Sequence, residues 1–249
     1  DTDRSRGLGD VYKRQVYFFR KNDSLLHFVK PVFDRRVFLK TCTNGSSELM
    51  TNLSMSLVNA LYNLQLMKIA GENGVAAYGA VMYVNFIFVA TFLGYAIGCA
   101  PVISYHYGAG NHAELKNLYK KSMSIILVWG VILFGAAQLL APVLSKIFVG
   151  YNTGLYAMTL HGFRVYAIAF LIIGINIFGS SFFTALNNGL ISAVISFLRT
   201  LVFQVIMVLT LPLWFGINGI WSAISIAEAL TLIMTTTFFV RQKDKYHYL

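Results

Sequence analysis

Charge is scarce in this sequence: Asp, Glu, Lys and Arg together make up 12% of the 249 residues, against 57% hydrophobic residues and a mean hydropathy of +0.63. That much apolar surface exceeds what a soluble core of this size can hide, which excludes a soluble enzyme. Acidic residues are the scarcer sign, 10 against 20 Lys and Arg, for a net charge of +10. The basic residues sit in short stretches beside long apolar runs. That is how membrane proteins distribute them, so no nucleic-acid partner is expected. Cysteine is nearly absent, and Cys42 and Cys99 have neither metal-site spacing nor the density of a disulfide scaffold; both read as packing residues. Histidine clusters and paired acids are missing as well. His106 and His112 fall in a loop and His161 stands alone near a helix start, which argues against a membrane-embedded enzyme and a metal site. No positively charged start leads into an apolar run with a small-residue cleavage site, so no secretory signal is read.

What the sequence has in abundance is apolar runs of the length a bilayer crossing needs, about 20 residues each. Six are placed, at about 46–69, 75–104, 121–148, 155–185, 189–214 and 217–240. In hydrocarbon each backbone amide must find its partner within the segment, and the runs are continuous rather than alternating. The crossings are therefore helices and the class is an all-α membrane protein. Outside the bundle at 46–240, residues 1–15 are polar, and RGLGDVYKRQ (6–15) reads as a translated linker scar. Residues 16–45 read as the remnant of a helix end (VYFFR) followed by a cytoplasmic segment, and 241–249 as a cytoplasmic tail.

Orientation follows from Lys and Arg. Arg20, Lys21, Lys30, Arg35, Arg36 and Lys40 precede the first crossing, Lys116, Lys120 and Lys121 lie between the second and third, and Arg241, Lys243 and Lys245 follow the sixth. The opposite side offers Lys68 and Lys146. An even number of crossings then puts the entry segment and the C-terminus in the cytoplasm, with the lipid bilayer of a bacterial inner membrane as the surrounding partner. In PVFDRRVFLKTCT (31–43), Val32, Phe33, Val37 and Phe38 alternate with basic residues, as in a short helix lying on the inner membrane surface; a solvated loop is the other reading.

Polar residues inside the crossings need partners or water. Asn52, Ser56, Asn59 and Asn63 follow the i, i+4, i+7, i+11 spacing of one helix face, and Asn176, Ser180, Thr184 and Asn187 repeat it on the fourth helix. Ser192, Ser196 and Thr200 form a third stripe. Each stripe alone reads equally well as interhelical hydrogen bonding; three in one bundle favour a shared wet cavity. Glu228 falls inside the apolar stretch 223–234, where a carboxylate can exchange a proton or meet a cationic substrate. Arg199 is its candidate counter-ion, in transport or in structure alone. Glu48 lies in the first turn of its helix, where an anion caps the macrodipole, and Arg164 reaches toward the outer interface. Gly94, Gly98 and Pro101 mark a bend in the second crossing that reads as a gate.

This last stretch carries a resemblance. GCAPVISYHYGAGN (98–111) resembles the segment that follows a transmembrane helix in the multidrug and toxic compound extrusion family, in its MepA-like branch. GSSELMTNLS (45–54), AGENGVAAY (70–78), SSFFTALNNGLISAVISFLRT (180–200) and FGINGIWSAISIAEALTL (215–232) match the same branch in order and spacing, so that the resemblance covers about 30–245. It implies a twelve-helix exporter of two six-helix lobes, of which this chain is the C-terminal one and the N-terminal lobe of the same polypeptide the missing partner. It also implies small cationic amphipathic drugs or dyes as substrates, exchanged for Na+ or H+, with no other cofactor. A related branch of the family uses carboxylates on the first and fourth helices of this lobe for cation binding. Here the first helix has only Glu48, near its start, and the fourth has none, with Asn176 its nearest polar residue. The alternative, a lipid-linked oligosaccharide flippase of the same superfamily, would call for more basic residues facing pyrophosphate than Arg164 and Arg199. A single lobe is expected to insert in the membrane but not to transport.

Overall fold

Each apolar run forms a helix, and turns of a few residues join them. The computed structural model describes residues 33–248, apart from the side chains at 44, 47, 48, 50 and 51. The linker at 1–15, the helix remnant at 16–20 and the side chain of Glu48 therefore lie outside the described residues. The elements are α1 (Arg35–Gly108), α2 (His112–Val149), α3 (Thr153–Tyr166), α4 (Phe170–Ala185), α5 (Gly189–Phe197), α6 (Phe203–Phe215) and α7 (Ile217–Tyr246), with no strand among the described residues. A 3-10 turn, Ala167–Ala169, links α3 to α4, and a π turn, Leu198–Val202, links α5 to α6, so these pairs run on as single rods. The five rods Asn52–Gly108, His112–Val149, Thr153–Ala185, Gly189–Phe215 and Ile217–Tyr246 are each long and apolar enough to cross a bilayer.

The first rod holds two of the six expected crossings. Gly71 (φ 63°, ψ −153°) splits α1 into arms at 35–70 and 72–108, because these angles are open to glycine alone. Gly216 (φ 56°, ψ −134°) divides α6 from α7 in the same way. The break in α1 is thus not at Gly98 and Pro101, where the sequence places a bend. Pro101 keeps helical backbone angles, and a side chain added at Gly98 would meet open space. A proline removes one hydrogen bond without forcing the chain out of the helical region, whereas Gly71 leaves that region altogether.

Caps fix the other ends. The Asn111 and Asn152 side chains accept from the amides of Glu114 and Leu155, each at 3.1 Å, opening α2 and α3, and Asn188 accepts from Ile191 at 3.3 Å to open α5. At the start of α1 the Asp34 carboxylate accepts from the amides of Arg36 and Val37 at 2.8 and 3.3 Å. Phe33 and Phe38 flank that cap with ring centroids 5.5 Å apart, a hydrophobic staple that makes this basic, apolar segment helical rather than a loop. At the other end α7 continues past the sixth crossing's expected limit near 240 to Tyr246, and Tyr248 is buried with its hydroxyl donating to the Phe239 carbonyl at 2.9 Å.

α4 is the centre of the bundle. Phe170, Ile173, Phe178, Phe182 and Phe183 are all buried, and α2, α5 and α7 pack around it. The outward faces are apolar as well: Ile97, Leu139, Ile147 and Leu213 are exposed, which suits hydrocarbon rather than water. Tyr151, just before α3, and Trp214, in the last turn of α6, are both exposed, as aromatic rings at a membrane interface are.

Candidate functional site

Glu228 is in the middle of α7 with 1% of its side chain exposed, so its charge must be met within the protein. Arg199 meets it, its Nε lying 2.9 Å from Oε1 and 3.1 Å from Oε2. The arginine is presented by the π turn, in which the amide of Phe203 reaches back to the carbonyl of Leu198. Such a turn holds one residue more than an α turn and shifts the side chains that follow, a device common at functional sites. Asn176 of α4 holds the carboxylate from a third helix: its Nδ2 donates to Oε2 at 2.7 Å and to the Glu228 backbone carbonyl at 3.0 Å. An ion pair taken out of water repays its desolvation only where such extra hydrogen bonds satisfy the remaining lone pairs.

The pair stands in the wall of an open cavity of about 250 Å³ bordered by both arms of α1, the end of α3, α4, the rod containing Arg199, and α7. Much of the wall is aromatic and sulfur-bearing: Met55, Tyr62, Tyr78, Met82, Phe86 and Tyr166. Tyr62 and Tyr78 stack across the Gly71 break, centroids 4.9 Å apart and planes 9° apart, and the Tyr78 hydroxyl donates to Asn59 Oδ1 at 3.0 Å. The polar lining is completed by Asn85, Thr200 and Gln204. Two buried atoms here, the Tyr62 hydroxyl oxygen and Asn85 Oδ1, have no hydrogen-bond partner among the described residues.

The candidate residues from the sequence separate into three groups. Glu228, Arg199 and Asn59 line the cavity, and Asn176 holds Glu228 without lining it. Ser180 does not reach the cavity. Its hydroxyl lies 2.9 Å from that of Ser192 and 2.8 Å from that of Ser196, and Thr184 lies 2.6 Å from Ser192, so most of the second and third stripes close on each other as a hydroxyl zip between α4 and α5. Short side chains on both helices allow that approach, and in a membrane it is the ordinary way to satisfy them. Asn187, at the end of the second stripe, takes φ 59° and turns the chain out of α4. Asn52 and Ser56 are exposed on α1 and are not among the residues that line the cavity. Arg164 is exposed away from it, its backbone carbonyl accepting from Gln138 at 3.0 Å.

Tyr62, Tyr78, Asn85 and Gln204 are cavity residues that sequence reasoning passed over. A signal existed: Tyr78, Met82, Asn85 and Val89 follow the same i, i+4, i+7, i+11 spacing as the stripes, but aromatic and thioether side chains in an apolar run look like core. Among the described residues, no three His, Cys, Asp or Glu side chains come together as a metal site.

A family model described as MatE matches residues 49–210. No curated protein sequence matches significantly. Among solved structures, a MATE protein in the straight conformation is similar over 97% of this chain and 55% of its own, with TM-score 0.84 and 19% identity. A MATE protein in complex with MaL6 is similar over 94% of this chain and 53% of its own, with TM-score 0.83 and 20% identity. A MOP superfamily transporter from Pyrococcus furiosus is similar over 93% and 52%, with TM-score 0.81 and 21% identity. The chain spans about half the length of these structures, as one half of such a transporter would. With the family model covering most of the chain and the helical membrane-spanning fold matching over more than nine-tenths of it, the protein belongs to the MatE family.

Proposed function

We propose that this chain is the C-terminal lobe of a cation-coupled efflux transporter, forming one wall of the path by which amphipathic cationic drugs or dyes leave the cell. The N-terminal lobe of the same polypeptide forms the other wall. The observation that carries the reading is a buried carboxylate, Glu228, paired with Arg199 at the edge of a cavity lined by aromatic and methionine side chains within membrane-crossing helices. Charges at that depth are costly and by default functional, and deformable thioether and aromatic walls suit varied flat ligands. Coupling to H+ or Na+ follows if ion uptake at Glu228 frees Arg199, so that the paired and unpaired states favour different arrangements of the lobes. The flippase alternative is less well supported, because Arg199 is the one basic residue among the described lining.

The test is Glu228→Gln in the full-length transporter. Dye efflux should fall by about tenfold and lose its dependence on the pH or sodium gradient, the scale expected when a group stabilising one of two states is removed. Wild-type efflux with unchanged gradient dependence would leave Glu228 as a structural partner of Arg199 and overturn the reading.

Orientation is part of the proposal: the C-terminus and the α1–α2 turn face the cytoplasm of a bacterial inner membrane. Because Asn111 and Asn152 cap helices, exposed Ala109 and Tyr151 are the better positions for a reporter. In a protein carrying Cys42→Ser and Cys99→Ser, Ala109→Cys should be labelled from the cytoplasm alone and Tyr151→Cys from outside alone. The reverse pattern sinks the topology.

A further inference from the structure

Of the groups that line the cavity, Asn85 Oδ1 is an acceptor with no partner among the described residues, whereas the charged group that keeps exposed surface, Arg199, is a donor. Both carboxylate oxygens of Glu228 are occupied, by Arg199 and Asn176, and the side chain, though part of the wall, has 1% of its surface exposed. Arg199 is engaged through Nε alone. Its two terminal amino groups have no acceptor among the described residues, and its side chain keeps 14% of its surface exposed at the cavity wall. The pair therefore turns its positive end toward any occupant. A guanidinium bound through Nε still offers the parallel N–H bonds of its outer edge, a fork matched to a carboxylate. Around these donors stand the flat faces of the stacked Tyr62 and Tyr78 and the flexible Met82.

We infer that this cavity is a subsite for the anionic end of an aromatic amphiphile, an aryl carboxylate held on the outer edge of Arg199 with its ring against the Tyr62–Tyr78 wall. The inference rests on reading the cavity as part of the substrate path, and it narrows that reading: a cationic amphiphile that uses this lobe also carries an acid, as a zwitterion does. At about 250 Å³ the cavity takes a bicyclic ring and its carboxylate rather than an entire larger drug. A fully deprotonated pyrophosphate on a lipid would bring more charge than one guanidinium edge can meet.

Two probes of the same ring and opposite charge, 2-naphthoate and 2-naphthylmethylammonium, test this by equilibrium dialysis against the full chain in phosphatidylcholine nanodiscs, with empty nanodiscs subtracted. The expected result is saturable binding with 2-naphthoate favoured by about tenfold, a preference cut by about tenfold in Arg199→Lys, which keeps a cation beside Glu228 but loses the forked edge. Saturable binding that favours the amine, or that ignores charge, would overturn the subsite's polarity and leave the cavity reading standing. Absence of saturable binding by either probe would overturn the cavity reading itself.

Discussion

Arg199→Ala is expected to destabilise the protein by about 3–5 kcal/mol, the cost of leaving a buried charge without its partner. Glu228 has 1% of its side chain exposed, and with the guanidinium gone only Asn176 would remain hydrogen-bonded to its carboxylate. Glu228→Gln is milder because the two partners are not equally enclosed. The guanidinium keeps 14% exposure at the cavity, where water can solvate it, and the new amide oxygen still accepts from Asn176; about 1–2 kcal/mol is expected. In Arg199→Ala/Glu228→Gln no charge is left stranded, so the double variant should recover part of the loss. Thermal unfolding of the four proteins in one detergent reads this directly. Equal losses for the two single variants, or a double variant at the sum of both, would mean that the pair is solvated in the native protein and that its burial does not govern stability.

The six crossings could be read from the sequence because hydrocarbon imposes one rule on every segment, and length with composition is enough to apply it. Boundaries inside the rods could not. The Gly71 break sits in AGENG, between runs that already look separate, whereas the π turn at Leu198–Val202 lies in an unbroken apolar run with no glycine or proline to mark it. That turn presents Arg199, so the arginine was visible as a charge out of place but its geometry was not. Polar periodicity proved ambiguous in a physical sense. Hydroxyls at i, i+4 spacing satisfy themselves equally well against a facing helix or against water, and which they choose depends on the neighbour. Ser180 and Thr184 face Ser192 and Ser196 and close on them, whereas Asn59, in the stripe of the first helix, has Tyr78 opposite and borders the cavity. The pairing of Asn176 with Glu228 joins residues 52 apart in sequence, and spacing along one helix carries no information about it.

The second large effect is expected far from any charge. Gly162 of α3 packs directly on the indole of Trp221 of α7, and a Cβ placed there would lie 2.5 Å from Cε2 and 2.6 Å from Cδ2 of a fully buried ring. A fused ring cannot yield as a flexible chain end can, so Gly162→Ala should cost about 3 kcal/mol, the upper part of the range for overpacking. Gly135→Ala is the control. In α2 its added methyl would meet open space, and the helical preference of alanine over glycine makes that variant neutral or more stable by up to about 1 kcal/mol. Introducing Trp221→Leu beside Gly162→Ala should restore part of the loss, with a coupling of about 1 kcal/mol or more across the cycle. The contact also bears on the site. Tyr166 lies four residues beyond Gly162 and Glu228 seven beyond Trp221, each on the same helix face as the residue that makes the contact, and both line the cavity. The glycine notch therefore sets the distance at which α3 and α7 present the two walls, and Gly162→Ala should weaken 2-naphthoate binding at temperatures where the protein remains folded. Unaltered binding in a destabilised Gly162→Ala would show that the helices re-pack without moving the cavity, and would confine the notch to a role in stability.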